Sequence, residues 1–194
     1  MTTCRTPGQV QRWLRSLPYN RDVSVRTFRG VVAHGRANCL EGALTAATIL
    51  ELHGRPPLIL DIESQDGLDH VLCLFRDRGR WGSVGRSRDL GLHGRKPVFR
   101  RVRDLVYSYV DPYVDGSGRI VGYAVLDPDD LTRADWRLSE TNVWSMERAL
   151  IERAHTPLRT SDRRHERTLR RFRAFRERYS DRPATFYDGR ERWL

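Results

Sequence analysis

The sequence predicts an α+β fold in which a buried helix packs on an antiparallel sheet and further helices follow. Residues 39–54, CLEGALTAATILELHG, carry apolar side chains at three- and four-residue steps around most of the circumference, which is typical of a buried helix. The runs LILDI (58–62) and HVLCLF (70–75) are mostly apolar and short, as in central strands of a sheet. Helical patterns dominate the chain after residue 136, so helices and strands are segregated rather than alternating.

The remaining elements follow from the same two periodicities and from turn residues. The long helix ends at Gly54, before Pro56 and Pro57. Asp77-Arg78-Gly79 predicts a turn that returns the chain as a third strand. The other expected elements are a helix at 8–17, that third strand at 80–84, a helix at 100–110, a strand at 120–126 and helices at about 139–154 and 161–179. We expect a core domain over residues 1–135 and a helical, arginine-rich extension over 136–194 that packs on it.

Composition limits the classes of protein to which the chain can belong. Hydrophobic residues make up 39% of the 194 residues and charged residues 31%, which is usual for a water-soluble globular protein. No apolar run approaches the roughly 20 residues of a membrane span, and the first residues lack the apolar stretch of a secretory signal. These features predict a cytoplasmic protein without a membrane partner. The three cysteines and six histidines lack the spacing of a zinc or redox site, so we expect no metal and no other cofactor.

The net charge of +10 raises the question of a nucleic-acid partner. Between Arg159 and Arg178 there are nine arginines and only three acidic residues, and such a helix can neutralise phosphates. However, Lys96 is the only lysine among 35 basic residues, a bias that a GC-rich coding sequence also produces. A solvated helix held by ion pairs and by Phe172 and Phe175 explains the same pattern. Nucleic-acid binding is therefore the less favoured alternative.

Cys39 has the sequence context of a reactive thiol. Asn38 and Glu41 have the spacing of a capping box, in which the Asn38 side chain caps the helix and Glu41 bonds back. Cys39 then occupies the first helical position, where unpaired N–H groups and the positive end of the helix dipole favour thiolate over thiol. The Glu41 carboxylate would oppose this effect if it pointed at the sulfur.

His70 is the candidate base for this thiol. It opens an apolar strand after the polar segment 63–69, so its side chain can stand at the end of the sheet, beside the helix N-terminus. The other histidines lie in turns or in the arginine-rich helix, and His34 is a minor rival because it is close to Cys39 in sequence. Cys73, in mid-strand, is expected to be structural.

The segments ANCLEGALTAATILELHGRPPLILDI and DHVLCLFRDRGRWGSV resemble the catalytic core of the transglutaminase-like superfamily, which is related to papain-like cysteine proteases. GRWGSVGRS and RKPVFRRVRDLVYSYV are also similar to small bacterial proteins of this type, so the resemblance covers about residues 36–110. It implies a papain/transglutaminase-like core with a Cys at the start of a buried helix, a His on a following strand, and an Asp that orients the His. Cys39 and His70 match the first two positions.

The third position departs from the pattern of the superfamily. The orienting Asp usually follows the strand Trp, here Trp81, by about four residues, and that position is Gly85. Asp89 is the favoured substitute, and the alternatives that would hold the imidazole less firmly are Ser83 and Ser87. Asp69 is disfavoured because adjacent residues of a strand point to opposite faces.

The resemblance implies acyl transfer from a peptide or small amide. Cys39 would attack the carbonyl, His70 would protonate the leaving group, and water or an amine would resolve the thioester. The Cys39 N–H is the expected oxyanion donor. Asn38 is the candidate second donor, although it cannot both cap the helix and face the substrate. The alternative, which the missing Asp supports, is a non-catalytic relative that binds peptides or proteins.

Overall fold

A computed structural model describes residues 4–182 and 184 of the chain, and these residues form an α+β fold. Six strands form one sheet in the order β4-β3-β2-β1-β5-β6, and every neighbouring pair is antiparallel. The elements are α1 (Pro7–Ser16), α2 (Phe28–His34), α3 (Cys39–Glu51), β1 (Ile59–Ser64), β2 (His70–Asp77), β3 (Arg80–Val84), a 3-10 turn (Leu90–Leu92), β4 (Arg95–Phe99), α4 (Val102–Val110), β5 (Ile120–Leu126), a second 3-10 turn (Pro128–Asp130), α5 (Trp144–Ile151), β6 (Thr156–Pro157) and α6 (Asp162–Arg178).

The helix α3 begins at the predicted capping box. The Glu41 N–H donates to Asn38 Oδ1 at 2.9 Å, and the Asn38 N–H donates to Glu41 Oε2 at 2.9 Å. Every residue from Leu40 to Leu50 is buried, as the wide apolar stripe predicts. The helix stops at Glu51, before the expected end, because the chain tightens into a turn that reaches Gly54 at a φ of +76°.

The sheet separates two hydrophobic clusters, since side chains alternate between its faces. On one face, Ile59, Val71 and Cys73 pack against α3. On the other face, apolar residues of β1 and β2 pack against α4, and these are Leu60, Ile62, Leu72 and Leu74. The two central strands are therefore covered on both faces, which explains why their sequences are nearly continuous apolar runs.

The chain after residue 136 packs on the same core. Met146 and Leu150 of α5 belong to the cluster around α3, and β6 pairs with β5. Arg164 of α6 donates to Asp111, which follows α4, at 2.9 and 3.0 Å. The predicted boundary at residue 135 and the last part of the predicted extension, beyond Ala184, stay predictions, the latter because it lies outside the described residues.

Three short elements, α2, β4 and β6, have no counterpart in the sequence prediction. The helix α2 covers only seven residues, and β4 crosses Pro97, which discourages a strand interpretation. The strand β4 lies at the edge of the sheet, where a proline is tolerated. Across the part of the chain that the structure describes, none of the helices combines the length and apolar character needed to cross a membrane.

Candidate active site

A cavity of about 450 Å³ brings three of the four predicted site residues together. Cys39 at the start of α3 and His70 at the start of β2 both line it, and so does Asp89 from the segment after β3. Tyr19, which the sequence analysis did not select, lines the same cavity. Asn38, the fourth predicted residue, does not contribute to its wall.

His70 is buried, with 3% of its surface exposed, and its ring is fixed by one hydrogen bond. Nε2 lies 2.8 Å from the backbone carbonyl oxygen of Leu92. A carbonyl can only accept, so Nε2 carries the hydrogen and Nδ1 carries the lone pair. Burial lowers the pKa of His70 to about 4, with the nearby Arg95 guanidinium adding to the effect and the Leu92 carbonyl opposing it. The imidazole is therefore neutral at pH 7, and Nδ1 is the nitrogen that can accept a proton.

The partner that fixes His70 is thus a backbone carbonyl and not the predicted Asp89. Among the described residues, Asp89 makes no hydrogen bond to His70, and its own N–H donates to Ser87 Oγ at 3.2 Å. The physical reason is the path of the chain, which leaves β3 and forms the 3-10 turn Leu90–Leu92, so that the backbone of Leu92 faces the ring.

Gly85 occupies the position where the superfamily pattern has its orienting Asp, and packing explains why no side chain is present. A Cβ atom at Gly85 would lie 2.5 Å from Cδ2 of Leu72. The side-chain amide of Gln11 also holds the Gly85 backbone, with Nε2 donating to its carbonyl at 2.9 Å and Oε1 accepting from its N–H at 3.0 Å. A carboxylate cannot be placed there without displacing Leu72.

The two serine alternatives for the third role are engaged elsewhere. The Ser83 hydroxyl lies 2.7 Å from Tyr109 Oη and accepts from the Arg95 N–H at 3.0 Å. The Ser87 hydroxyl accepts from the Asp89 N–H. Neither serine bonds to His70, so among the described residues the Leu92 carbonyl makes the one hydrogen bond to the imidazole.

The sequence predicts that the helix N-terminus favours a Cys39 thiolate, but in the structure burial outweighs this effect. Burial raises the pKa of the Cys39 thiol, and backbone hydrogen bonds at Val71, Leu40 and Cys39 itself lower it by less. The charge of Asp61 raises it further. Within the described residues no hydrogen bond joins Cys39 to His70, so the resting site holds a thiol and a neutral imidazole rather than an ion pair.

The Glu41 carboxylate is engaged by hydrogen bonds from groups other than Cys39. It is fully buried, and its oxygens accept hydrogen bonds from Asn20 Nδ2 (2.9 Å), Ser24 Oγ (2.7 Å), the Arg26 N–H (3.0 Å) and the Asn38 N–H (2.9 Å). These bonds tie the segment between α1 and α2 to the start of α3. Glu41 therefore has a structural role at the start of α3, and the expected repulsion between its carboxylate and a Cys39 thiolate is not what the contacts indicate.

Asn38 is a capping residue, and the proposed oxyanion role does not fit its contacts. Its Oδ1 accepts from the Glu41 N–H, and its Nδ2 donates to the Ser24 carbonyl oxygen at 3.0 Å. The reason is the one that the sequence suggested: a side chain that caps the helix has its polar atoms engaged by the backbone and is not available to a substrate.

Tyr19 is the residue that the sequence analysis missed. The charge, the side chain and the backbone of Cys39 all act on the pKa of its hydroxyl, so the hydroxyl lies beside Cys39. Burial, followed by the charge of Cys39, raises the pKa of Tyr19 to about 12, so the hydroxyl stays protonated and can donate. A parallel bridge between Tyr19 and Ala37 places the ring beside the helix start, and this contact between distant segments has no local sequence signal.

The comparisons with known proteins leave this geometry as the basis for a functional argument. No protein-family model matches the chain, and no match to it is found among curated proteins. In the described part of the chain, no group of three or more His, Cys, Asp or Glu residues is placed to hold a metal ion.

Proposed function

We propose that this protein is a cysteine-dependent acyl-transfer enzyme of the transglutaminase-like, papain-related type. It hydrolyses or transamidates an amide bond of a peptide or small amide through a thioester on Cys39, with His70 as base and acid. The observation that carries the proposal is the hydrogen bond from Nε2–H of His70 to the Leu92 carbonyl oxygen. This bond leaves the lone pair of Nδ1 free on a fixed ring, and His70 and Cys39 line the same cavity.

The mechanism begins with a proton transfer from the Cys39 thiol to Nδ1 of His70 as the substrate carbonyl approaches. The sulfur bonds to the carbonyl carbon, and the oxyanion accepts hydrogen bonds from the Cys39 N–H and the Tyr19 hydroxyl. The imidazolium then gives its proton to the leaving amine as the C–N bond breaks. In hydrolysis, His70 takes a proton from water, the resulting hydroxide opens the thioester, and Cys39 recovers its thiol.

Because Cys39 and His70 are both neutral without substrate, the reactivity of the Cys39 thiol depends on bound substrate. Burial disfavours the charged forms of both Cys39 and His70, so separated charges are costly until the oxyanion and its donors appear. A substrate that fills the cavity and excludes water strengthens the interaction between thiolate and imidazolium. Acylation by a carbonyl substrate is therefore a better test of the site than the reactivity of the empty enzyme.

The test is acylation by p-nitrophenyl esters of short N-acyl peptides, followed by intact mass and peptide mapping. We expect a hydroxylamine-sensitive acyl group on Cys39, and much slower acylation of Cys4, which lies outside the cavity. His70→Gln should slow acylation of Cys39 by about 100-fold or more, the usual contribution of a general base. Equal acylation of Cys39 in the two proteins, or equal labelling of Cys39 and Cys4, would refute the proposal.

A non-catalytic binding module is the second candidate, and the raised pKa of Cys39 together with the missing Cys39–His70 hydrogen bond favours it. In that case the esters would not acylate Cys39 above the level of Cys4, while peptides would still bind the cavity. Nucleic-acid binding through α6 stays a prediction; its affinity would fall steeply with added salt.

A further inference from the structure

A buried carboxyl group lies on the side of the sheet that carries Cys39. Asp61, on β1, is 2% exposed and stands directly opposite Val71 in the antiparallel pairing of β1 with β2. Residues that face each other across such a pair direct their side chains to the same face of the sheet. The Val71 backbone is among the groups that lower the pKa of the Cys39 thiol, so the Asp61 carboxyl lies one strand away from a residue that acts on the sulfur.

Only half of this carboxyl group is satisfied by hydrogen bonds. Oδ2 lies 3.2 Å from Nε2 of His155, which precedes β6 and whose side chain is 8% exposed. Oδ1 is buried and has no hydrogen-bond partner among the described residues. Leaving a carboxylate oxygen unsolvated and unbonded is costly, and the cost disappears when the group holds a proton. The core therefore contains a carboxyl group, Asp61, with only one of its two oxygens hydrogen-bonded, on the face of the sheet that packs against α3.

We propose that Asp61, held by His155, is a positioning residue that acts on the reaction through Cys39. The two side chains carry one negative charge between them, so that ionisation of either disfavours ionisation of the other. The two acids lie in a buried, low-dielectric region, where two like charges are not readily accommodated together. Cys39 therefore ionises more readily when Asp61 carries a proton. The inference rests on the proposed function for its biological meaning, but it concerns the ionisation of the thiol, which is measurable without a substrate.

The surrounding charges agree with this coupling. Burial raises the pKa of Asp61 to about 6, His155 opposes the rise, and Asp69 and Glu63 add to it. The charge on Asp61 in turn raises the pKa of Cys39.

Three further titratable groups surround the thiol. The hydroxyls of Tyr19 and Tyr113 have raised pKa values, and His70 has a lowered one, so all three are neutral at pH 7. Asp69 and Asp89 line the cavity of Cys39 as well. Asp61 is the carboxyl group whose charge raises the pKa of the Cys39 thiol.

The coupling predicts a particular shape for the pH profile of Cys39 alkylation. Below the pKa of a thiol, each pH unit raises the thiolate fraction tenfold. Ionisation of Asp61 raises the pKa of the Cys39 thiol, so the thiolate fraction rises by less than tenfold per pH unit while Asp61 titrates. The logarithm of the alkylation rate should therefore rise less steeply across about pH 6 than above and below it. A thiol with no such neighbour, such as Cys4, should show no shallow region.

The experiment is the rate of iodoacetamide labelling of each cysteine between pH 5 and 9, read by peptide mass spectrometry. In Asp61→Asn we expect the shallow region to vanish and labelling of Cys39 at pH 7 to rise about tenfold, which corresponds to one unit of thiol pKa. Asp77→Asn is the control, because it removes a half-exposed carboxylate at the far end of β2. Coincident profiles for Asp61→Asn and the unaltered protein would overturn the proposal.

Unfolding of the variant is detected in the same experiment. Cys73 is fully buried, so rapid labelling of Cys73 marks a protein that no longer folds. If Asp61→Asn behaves in that way, His155→Gln decides instead. Removing His155 should raise the pKa of Asp61 and move the shallow region to higher pH, whereas an unmoved shallow region would overturn the proposal.

The outcome is separable from that of the proposed function. If esters fail to acylate Cys39 but Asp61→Asn still removes the shallow region, the proposed enzyme activity is wrong and the coupling stands. If Cys39 is acylated and the two profiles coincide, the activity stands and Asp61 has no role in it.

Discussion

Replacement of Glu41 by glutamine tests the buried cluster that fixes the start of α3. In the native protein Oε1 accepts from Ser24 Oγ and the Arg26 N–H, and Oε2 accepts from the Asn38 N–H and Asn20 Nδ2. Glutamine keeps one oxygen and replaces the other with an NH₂ group, which can only donate. Whichever way the amide turns, two donors lose their acceptor, and at least one backbone N–H, that of Arg26 or of Asn38, faces another donor.

The expected loss of stability follows from these contacts. A hydrogen bond to a charged group contributes about 1.5–3 kcal/mol, and a buried donor without an acceptor costs about 1–3 kcal/mol. With two such bonds lost from Glu41, which is fully buried, we expect the free energy of unfolding to fall by about 3–5 kcal/mol. Since domains of this size unfold with about 5–15 kcal/mol, much of the stability would be removed.

Urea unfolding followed by tryptophan fluorescence measures this change. Glu51→Gln is the matched control on the same helix, because the Glu51 carboxylate accepts from the Arg137 guanidinium at 2.6 Å but is one-third exposed. Glu51→Gln should lower the free energy of unfolding by about 1 kcal/mol or less, as is usual for ion pairs near the surface. A loss in Glu41→Gln no larger than in Glu51→Gln would refute the argument that four buried donors depend on Glu41.

Three further predictions concern the site and its support. Gly85→Ala should lower the free energy of unfolding by about 1–3 kcal/mol, because its Cβ would meet Leu72 at 2.5 Å; an unchanged urea midpoint would contradict this. As the pH falls from 6.5 to about 4, unfolded His70 gains a proton before the folded residue does, so about 3 kcal/mol of stability is lost. His70→Gln should make the stability–pH curve flatter over this range, and an equally steep curve would count against the buried neutral imidazole. Tyr19→Phe should slow ester acylation of Cys39 by about 100-fold, the usual effect of losing an oxyanion donor, with little change in the urea midpoint; full activity would exclude that role.

The local parts of the fold were predictable because the sequence encodes them within a few residues. The capping box placed the start of α3 at Cys39, and the Asp77–Gly79 turn placed β3 at 80–84, as the structure has them. The α+β class followed from these elements and is confirmed. The exact helix ends differ, for example at α5, which spans Trp144–Ile151 rather than 139–154, because terminal turns depend on tertiary packing.

The candidate site was predictable only where a side chain carries the role. Cys39 and His70 have chemistry that a sequence displays, and they do line one cavity. The partner of His70 is the backbone of Leu92, and a backbone carbonyl is present at every residue, so no sequence pattern distinguishes it. Tyr19 reaches Cys39 through a bridge between separate segments, which has no periodicity to detect. The prediction of a Cys39 thiolate was wrong, because the pKa of the thiol is raised by burial and burial depends on the whole fold.

The wall that α6 contributes to the cavity has a consequence for how this protein can change. Phe172 and Arg176 line the same space as Cys39 and His70, yet they belong to a helix that follows all six strands in the chain. The reacting groups and the surface that a bound molecule touches are therefore encoded in separate stretches of the gene. Under the proposed function, substitutions on α6 alter which molecules fit the cavity without altering the thiol or the imidazole, so selectivity can diverge while the chemistry is retained.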